Sequence, residues 1–342
     1  GGAISVTGDA TASGTISARG NISFGGNANI YEVTSSNGAI SVGGTTSATG
    51  AISASGVISF TGDATASGTI SAQGDITFGK NAIINEVTST NGAISVTGTT
   101  SANGNITSAK SQTFNGAFTL NNSVTILAKE NTVLFKGTVN GTHALTIGNN
   151  ANTTNVTFEK SVGSVNKLAS LDVKGTITAN EAISTTGNIA VGGVANVTEV
   201  TSSGGAISVT GDATASGTIS AGGDITFGGN AIINEVTSSN GAISVGGTTS
   251  ATGTISAGGV ISFTGDATAS GAILAGGDIT FGGTADVAGV TSTSGVISFD
   301  GDATASGTIS AGGDITFGGT ADVAEVTSTG GAISVTGDAK AS

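Results

Sequence analysis

The sequence predicts an all-β chain wound as a parallel β-helix, a β-solenoid of triangular coils with three short strands each. Three observations predict it. An isoleucine recurs every eighteen residues, two long blocks divide without gaps into six-residue units, and 342 residues include 59 glycines and no proline.

The isoleucines are Ile4, Ile22, Ile40, Ile58, Ile76 and Ile94, then Ile207, Ile225, Ile243, Ile261, Ile279, Ile297, Ile315 and Ile333. A globular enzyme has no need of such a column. In a coiled chain each residue lies above its copy in the previous turn, and each turn touches only its neighbours, so the column is the structural ladder.

The six-residue units begin GAISVT, GDATAS, GTISAR, GNISFG, GNANIY, EVTSSN, run from 2 to 109, and run again from 205 to 342. Three kinds rotate. The first reads Gly-x-Ile-Ser/Thr-Val/Phe-x and the second Gly-x-Ala/Thr; the third alternates between forms such as Gly14-Thr15-Ile16-Ser17-Ala18 and Glu32-Val33-Thr34-Ser35-Ser36. Positions three and five are small or apolar while two and four are mostly polar, the alternation of a strand with one dry face. Glycine at position one marks the corner, where steric room is short. The first kind adds an inward Val/Phe column, from Val6 and Phe24 to Phe317 and Val335, set against Ala10, Ala28, Thr46 and Ala64 of the second. Large against small suits a narrow core at native packing density. Taken hexad by hexad, the third face reads Thr15/Ser17, Val33/Ser35, Ala51/Ser53, Thr69/Ser71 and Val87/Ser89, a rank of hydroxyls broken at alternate coils.

GDATAS begins at 8, 62, 211, 265 and 301, with GDAKAS at 337, so within each block the duplicated piece is two or three whole coils. Acidic residues are spaced along the corners. Asp9, Asn27, Thr45, Asp63, Asn81 and Thr99 follow one another in one column, and Asp75, Asp224, Asp278 and Asp314 are set apart in another. Like charges opposed on paired strands are destabilising, and two or three coils put about 10–14 Å between them, near or beyond a Debye length. A calcium reading has only Asp300 and Asp302 to offer, in Asp300-Gly301-Asp302, since the nine-residue Gly-Gly-x-Gly-x-Asp repeat is absent.

Composition agrees with an ordered coil. Disordered chains do not hold one residue type at every slot of a column, and proline would remove a ladder donor from strands paired on both sides. About nineteen coils at about 4.8 Å each make a rod of roughly 90 Å.

The hexad phase is lost from 110 to 204. Three regions are therefore expected: a regular solenoid over 1–109, irregular and larger coils of the same solenoid over 110–204 (an inserted module being the alternative), and a regular solenoid over 205–342. The middle holds Lys110, Lys129, Lys136, Lys160, Lys167 and Lys174 of nine basic residues, and the single histidine, His143. It also holds an internal echo, Phe135-Lys-Gly-Thr-Val139 against Phe158-Glu-Lys-Ser-Val162.

The run SQTFNGAFTLNNSVTI, followed by GTVNGTHALTIGNNANTTNVTFEKSVGSVNKLASLDVKGTITA, resembles the repeat regions of filamentous-haemagglutinin-like bacterial surface proteins, the giant exoproteins of two-partner secretion. The resemblance covers roughly 110–200; the strict hexads on either side depart from that family's longer coils. It implies a right-handed β-helix, export to the cell surface, and a part in adhesion or cell–cell contact. Strict hexads also mark left-handed triangular helices, so both hands stay open.

Catalytic chemistry has little to build on. With no cysteine there is no disulfide or thiolate, and one histidine cannot make a two-histidine metal site. The carboxylates are dispersed, whereas sugar-cleaving β-helices need them paired in a cleft. No phosphate-binding loop occurs, so the glycine strings are corners. A net charge of −13 argues against nucleic acid and anionic membrane surfaces, and no run approaches a membrane span. No cofactor and no catalytic residue is expected.

The ends carry no obvious cap, and a bare solenoid end invites strand pairing. A slice of a longer protein is expected, or copies stacked end to end. The expected function is a non-catalytic structural rod, the stalk of an extracellular bacterial surface adhesin or fibre. The alternatives are a self-assembling filament or sheath joined through uncapped ends and, further off, a carbohydrate- or ice-binding solenoid with Lys136, Lys160 and Tyr31 as sugar contacts. Expected partners are the chain itself, end to end or laterally, the rest of a longer chain, or a ligand on a host or neighbouring cell.

Overall fold

The computed structural model describes residues 2–129 and 132–341, and among these every regular element is a β-strand. The strands run parallel in stacked coils of about eighteen residues, a β-solenoid of about nineteen turns. The chain forms two compact units, Gly1–Glu181 and Ala182–Ser342.

In the first unit the isoleucines pair directly, Ile4 on Ile22, then Ile40, Ile58, Ile76 and Ile94. Each sits in a three-residue strand; from Ile22–Phe24 onward the first and third side chains are buried and the middle one faces out, while in the terminal Ile4–Val6 they are partly exposed. The strands are this short because glycine corners recur every six residues. The column continues through Gln112, Val133, Val156 and Ile177. Gln112 is buried, and its Nε2 donates to the carbonyls of Leu127 at 2.9 Å and Ile106 at 3.3 Å.

The alanine face stacks Ala28 on Ala10, then Thr46 and Ala64. Where Phe118 and Leu120 replace these small residues, Phe118 packs edge-on against Phe114 at 4.8 Å and Phe135 at 5.2 Å. The coil widens there. Asn121 bonds back to Asn103 across eighteen residues, but Thr132 reaches Ser111 across 21 and Thr154 reaches the Ala128 carbonyl across 26. The echo in the sequence is one such coil: Phe135 pairs with Phe158, and Val139 bridges Val162.

The third face corrects the hexad reading. Ile16 pairs with Val33, and Val33 with Ile52, so Val33 and Val87 point inward and are buried. The nine-residue strand Ala10–Ala18 runs against the eight-residue Ala28–Ser35, and the register shifts by one between Ala12 and Thr15. Burying a valine is worth about 1.5–3 kcal/mol over exposing it, enough to favour a bulge that turns it inward. The outward neighbours are Ser17, Thr34, Ser53, Ser71 and Thr88, a hydroxyl column without a break.

The second unit repeats the plan. Its isoleucine face runs from Ile189 through Ile207 and Ile225 to Ile243, Ile261, Ile279, Ile297, Ile315 and Ile333. Behind it, Phe263, Phe281, Phe299 and Phe317 form one continuous stack with centroids 4.7–5.1 Å apart.

Candidate functional site

The most repeated polar geometry of the molecule lies at the corners. An aspartate or asparagine at the second position of a hexad accepts, through Oδ1, the backbone N–H of the residue one coil further on. Asp9 takes Asn27 at 2.7 Å and Asn27 takes Thr45 at 2.8 Å; Asp212 takes Asn230 at 2.8 Å and Asn230 takes Thr248 at 2.9 Å. The other corner does the same, with Asn21 to Ala39, Asp75 to Ala93 and Asp278 to Val296. Each carboxylate or amide thereby satisfies a corner amide that the strand ladder leaves over.

This bond explains the glycine that precedes the donor. At Gly283 a Cβ would lie 2.5 Å from Asp266 Oδ1 and 2.7 Å from the Asp266 backbone nitrogen. Position 80 departs from the rule. It holds Lys80, and the bond from Asn81 N to Asp63 there is 3.1 Å.

A second device closes the corner after the Glu-Val-Thr-Ser strands. Buried Ser35 donates to the Gly20 carbonyl at 2.8 Å and accepts the Gly38 N–H at 3.0 Å. Ser89, Ser202, Ser238 and Ser292 repeat it. At the same column position Ala18, Ala54 and Ala72 stand in the intervening coils.

The residues singled out for chemistry are spread across this scaffold. Asp302 uses Oδ1 to accept Thr320 N at 2.7 Å, and Asp300 accepts the Ser298 hydroxyl at 3.4 Å. Among the described residues no group of three or more His, Cys, Asp or Glu is placed to hold a metal ion. His143 lies just before the strand Ala144–Ile147. Lys160 is paired with Glu181 at 3.0 Å, which holds the Glu181 carboxyl below its usual range; the Ser161 N–H assists and desolvation opposes. Lys136 is exposed on the corner after Thr132–Phe135. Tyr31 is half exposed in a shallow groove with Thr11, Ser13, Asn29 and Thr49. Lys160 and Tyr31 therefore lie in separate places, on a corner and in a groove. No helix among the described residues is long and apolar enough to cross a membrane.

Sequence reasoning missed the split of charge between the units. Every basic residue except Lys340 lies in Gly1–Glu181, together with nine of the 22 acidic residues, for a net charge of −1. Ala182–Ser342 holds the other 13 acidic residues and carries −12. The signal is present in the sequence, but a spaced column of aspartates speaks first of its internal repulsion.

The class defined by these features is a β-solenoid whose corners are tied coil to coil by side-chain carbonyls and carboxylates. Comparison with protein-family models, with curated proteins and with solved structures finds no match.

Proposed function

We propose that the chain is a non-catalytic structural rod, the stalk of a bacterial surface adhesin or fibre acting outside the cell. The observation that carries this reading is the investment in coil-to-coil registration. Polar corner residues such as Asp9, Asn27, Asp212 and Asn230 are used to tie one coil to the next, and buried serines such as Ser35 and Ser238 link Gly20 to Gly38 and Gly223 to Gly241. Such a device resists bending and slippage between repeats, because each coil is held by its neighbours. The likeness of 110–200 to filamentous-haemagglutinin-like repeats supports the surface setting.

Two measurements test it. Negative-stain images of the purified chain should show rods of roughly 90 Å, at about 4.8 Å per coil. Antibodies raised against it should label intact, unpermeabilised cells of the source. Compact particles, or labelling only after permeabilisation, would overturn the reading. The runner-up, a self-assembling filament, is favoured by the charge split between the two units.

A further inference from the structure

Charge borders the isoleucine faces of both units; in the first, Asp9, Asp63 and Asp75 border the early coils and lysines the coils from 110 to 160. In the first unit, Lys110 and Lys129 precede the isoleucine-face strands Gln112–Phe114 and Thr132–Phe135. Lys136 and Lys160 follow Thr132–Phe135 and Asn155–Phe158, on the opposite border. Between them the outward side chains are Thr113, Leu134 and Thr157. Lys160 and Lys174 are held in ion pairs with Glu181 and Asp172, whereas Lys110, Lys129 and Lys136 are exposed and take no part in these two pairs.

In the second unit the same kind of face is bordered by aspartate. Asp224, Asp278 and Asp314 precede Ile225–Phe227, Ile279–Phe281 and Ile315–Phe317. Asp212, Asp266 and Asp302 stand on the opposite border, after Ile207–Val209, Ile261–Phe263 and Ile297–Phe299. All six are exposed, and each gives Oδ1 to a backbone N–H of the next coil, which fixes its position. The face between carries the small hydroxyl side chains of Ser208, Thr226, Ser262, Thr280, Ser298 and Thr316.

We propose that these two faces dock on each other between copies of the chain: the lysine-bordered coils 110–160 of the first unit in one copy lie along the aspartate-bordered face of Ala182–Ser342 in a second. Lysines on one and aspartates on the other set opposite charge along the borders, and apart from Leu134 the outward side chains between them are small hydroxyls. The aspartates are held in place before contact, which lowers the ordering cost of association. Because the contact is heterologous, with a different patch on each partner, it propagates into a staggered lateral array unless the rotation closes it. Opposed borders also set the stagger, since like charges would meet in other alignments.

The test uses the full chain in sedimentation velocity. At about 20 mM salt the wild type should form concentration-dependent multiples of the single chain, and at about 500 mM salt it should be a monomer, since the Debye length shrinks severalfold. Lys110→Glu/Lys129→Glu/Lys136→Glu should weaken low-salt association at least about tenfold, or about 1.4 kcal/mol. Asp266→Asn/Asp278→Asn/Asp302→Asn/Asp314→Asn should weaken it too while preserving the corner bonds, because asparagine already fills that role at Asn27 and Asn230. A wild type that stays monomeric at low salt overturns the proposal and leaves the rod reading standing. Association that survives high salt, or survives either variant, places the contact elsewhere and overturns it too. So does binding of polyglutamate without self-association, which would make the lysine border a site for another acidic partner.

Discussion

Asp266 Oδ1 accepts the backbone N–H of Thr284, one coil further along, at 2.8 Å, and a Cβ at position 283 would come within 2.5 Å of that Oδ1 and 2.7 Å of the Asp266 backbone nitrogen. Aspartate and glycine seventeen positions later thus form one structural unit. The Gly283→Ala variant should be more destabilising than Asp266→Ala. The first forces apart two backbone segments and belongs with strained substitutions of about 2–4 kcal/mol; the second loses only solvent-exposed hydrogen bonding from Thr284, a smaller effect. Asp266→Asn should be near neutral at pH 7. Urea unfolding of the three variants checks the order, and an equal loss for Gly283→Ala and Asp266→Ala would remove the steric argument.

Acid should weaken the solenoid through these carboxylates. The Thr284 backbone N–H, followed by the Thr284 hydroxyl, holds Asp266 below the ordinary carboxylate range, and Lys160 does so for Glu181. A depressed folded pKa gives stability that is present above the unfolded value, about 4, and lost as pH falls through the folded values below it. Melting temperature should therefore be level above about pH 5 and drop on further acidification. Asp266→Asn should flatten that drop, and an acid limb unchanged in the variant would show that Asp266 does not contribute to it.

Among the described residues three buried hydroxyls are unpaired. Thr46 and Thr249 lie between alanines of the small-residue column and Thr100 between Ala82 and Phe118, and their Oγ1 atoms have no partner. Replacing one with valine keeps the shape and removes a desolvated hydroxyl, which costs about 1–3 kcal/mol when unsatisfied. Thr249→Val should raise the melting temperature, and differential scanning calorimetry is the check. A lower value would mean that the site does not accept the extra methyl.

The phenylalanine stack should be strongest where it is continuous. Phe299 lies between Phe281 and Phe317, whereas Phe24 pairs with Val6 and Val42. Truncation to alanine should cost about 3–5 kcal/mol at a buried phenylalanine, with Phe299→Ala exceeding Phe24→Ala by about 0.5–1.5 kcal/mol from lost ring contacts. Equal losses in chemical denaturation would assign the stability to buried area alone.

Much of this architecture is legible in the order of the residues. A column holding Ile4, Ile22 and Ile40 can recur only if a coil returns to the same place each time, and the Gly–Asp and Gly–Asn pairs show where it turns. The echo of Phe135 in Phe158 likewise marks one enlarged coil. The identity of the corner bonds is not legible, because an aspartate spaced for repulsion and one spaced for hydrogen bonding look alike in sequence. The clue is the glycine seventeen positions downstream of Asp9, Asp212 and Asp266.

Sequence by itself determined the strand content, the coil length and the occupants of the isoleucine face, because a period-two apolar pattern cut every six residues leaves a chain few other ways to bury its side chains. Only tertiary structure decided the third face. Strict hexads put Val33 outside, but aligning Ile16-Ser17-Ala18 with Val33-Thr34-Ser35 needs a one-residue slip, and the strands make it at a bulge. The reason is energetic rather than numerical: the core accepts valine more readily than the backbone defends its count. Tertiary structure alone also brought Lys110, Lys129 and Lys136 to the borders of one face. Neighbours in a solenoid are residues one coil apart, and the irregular coils of 21 to 26 residues are set by how their cores pack.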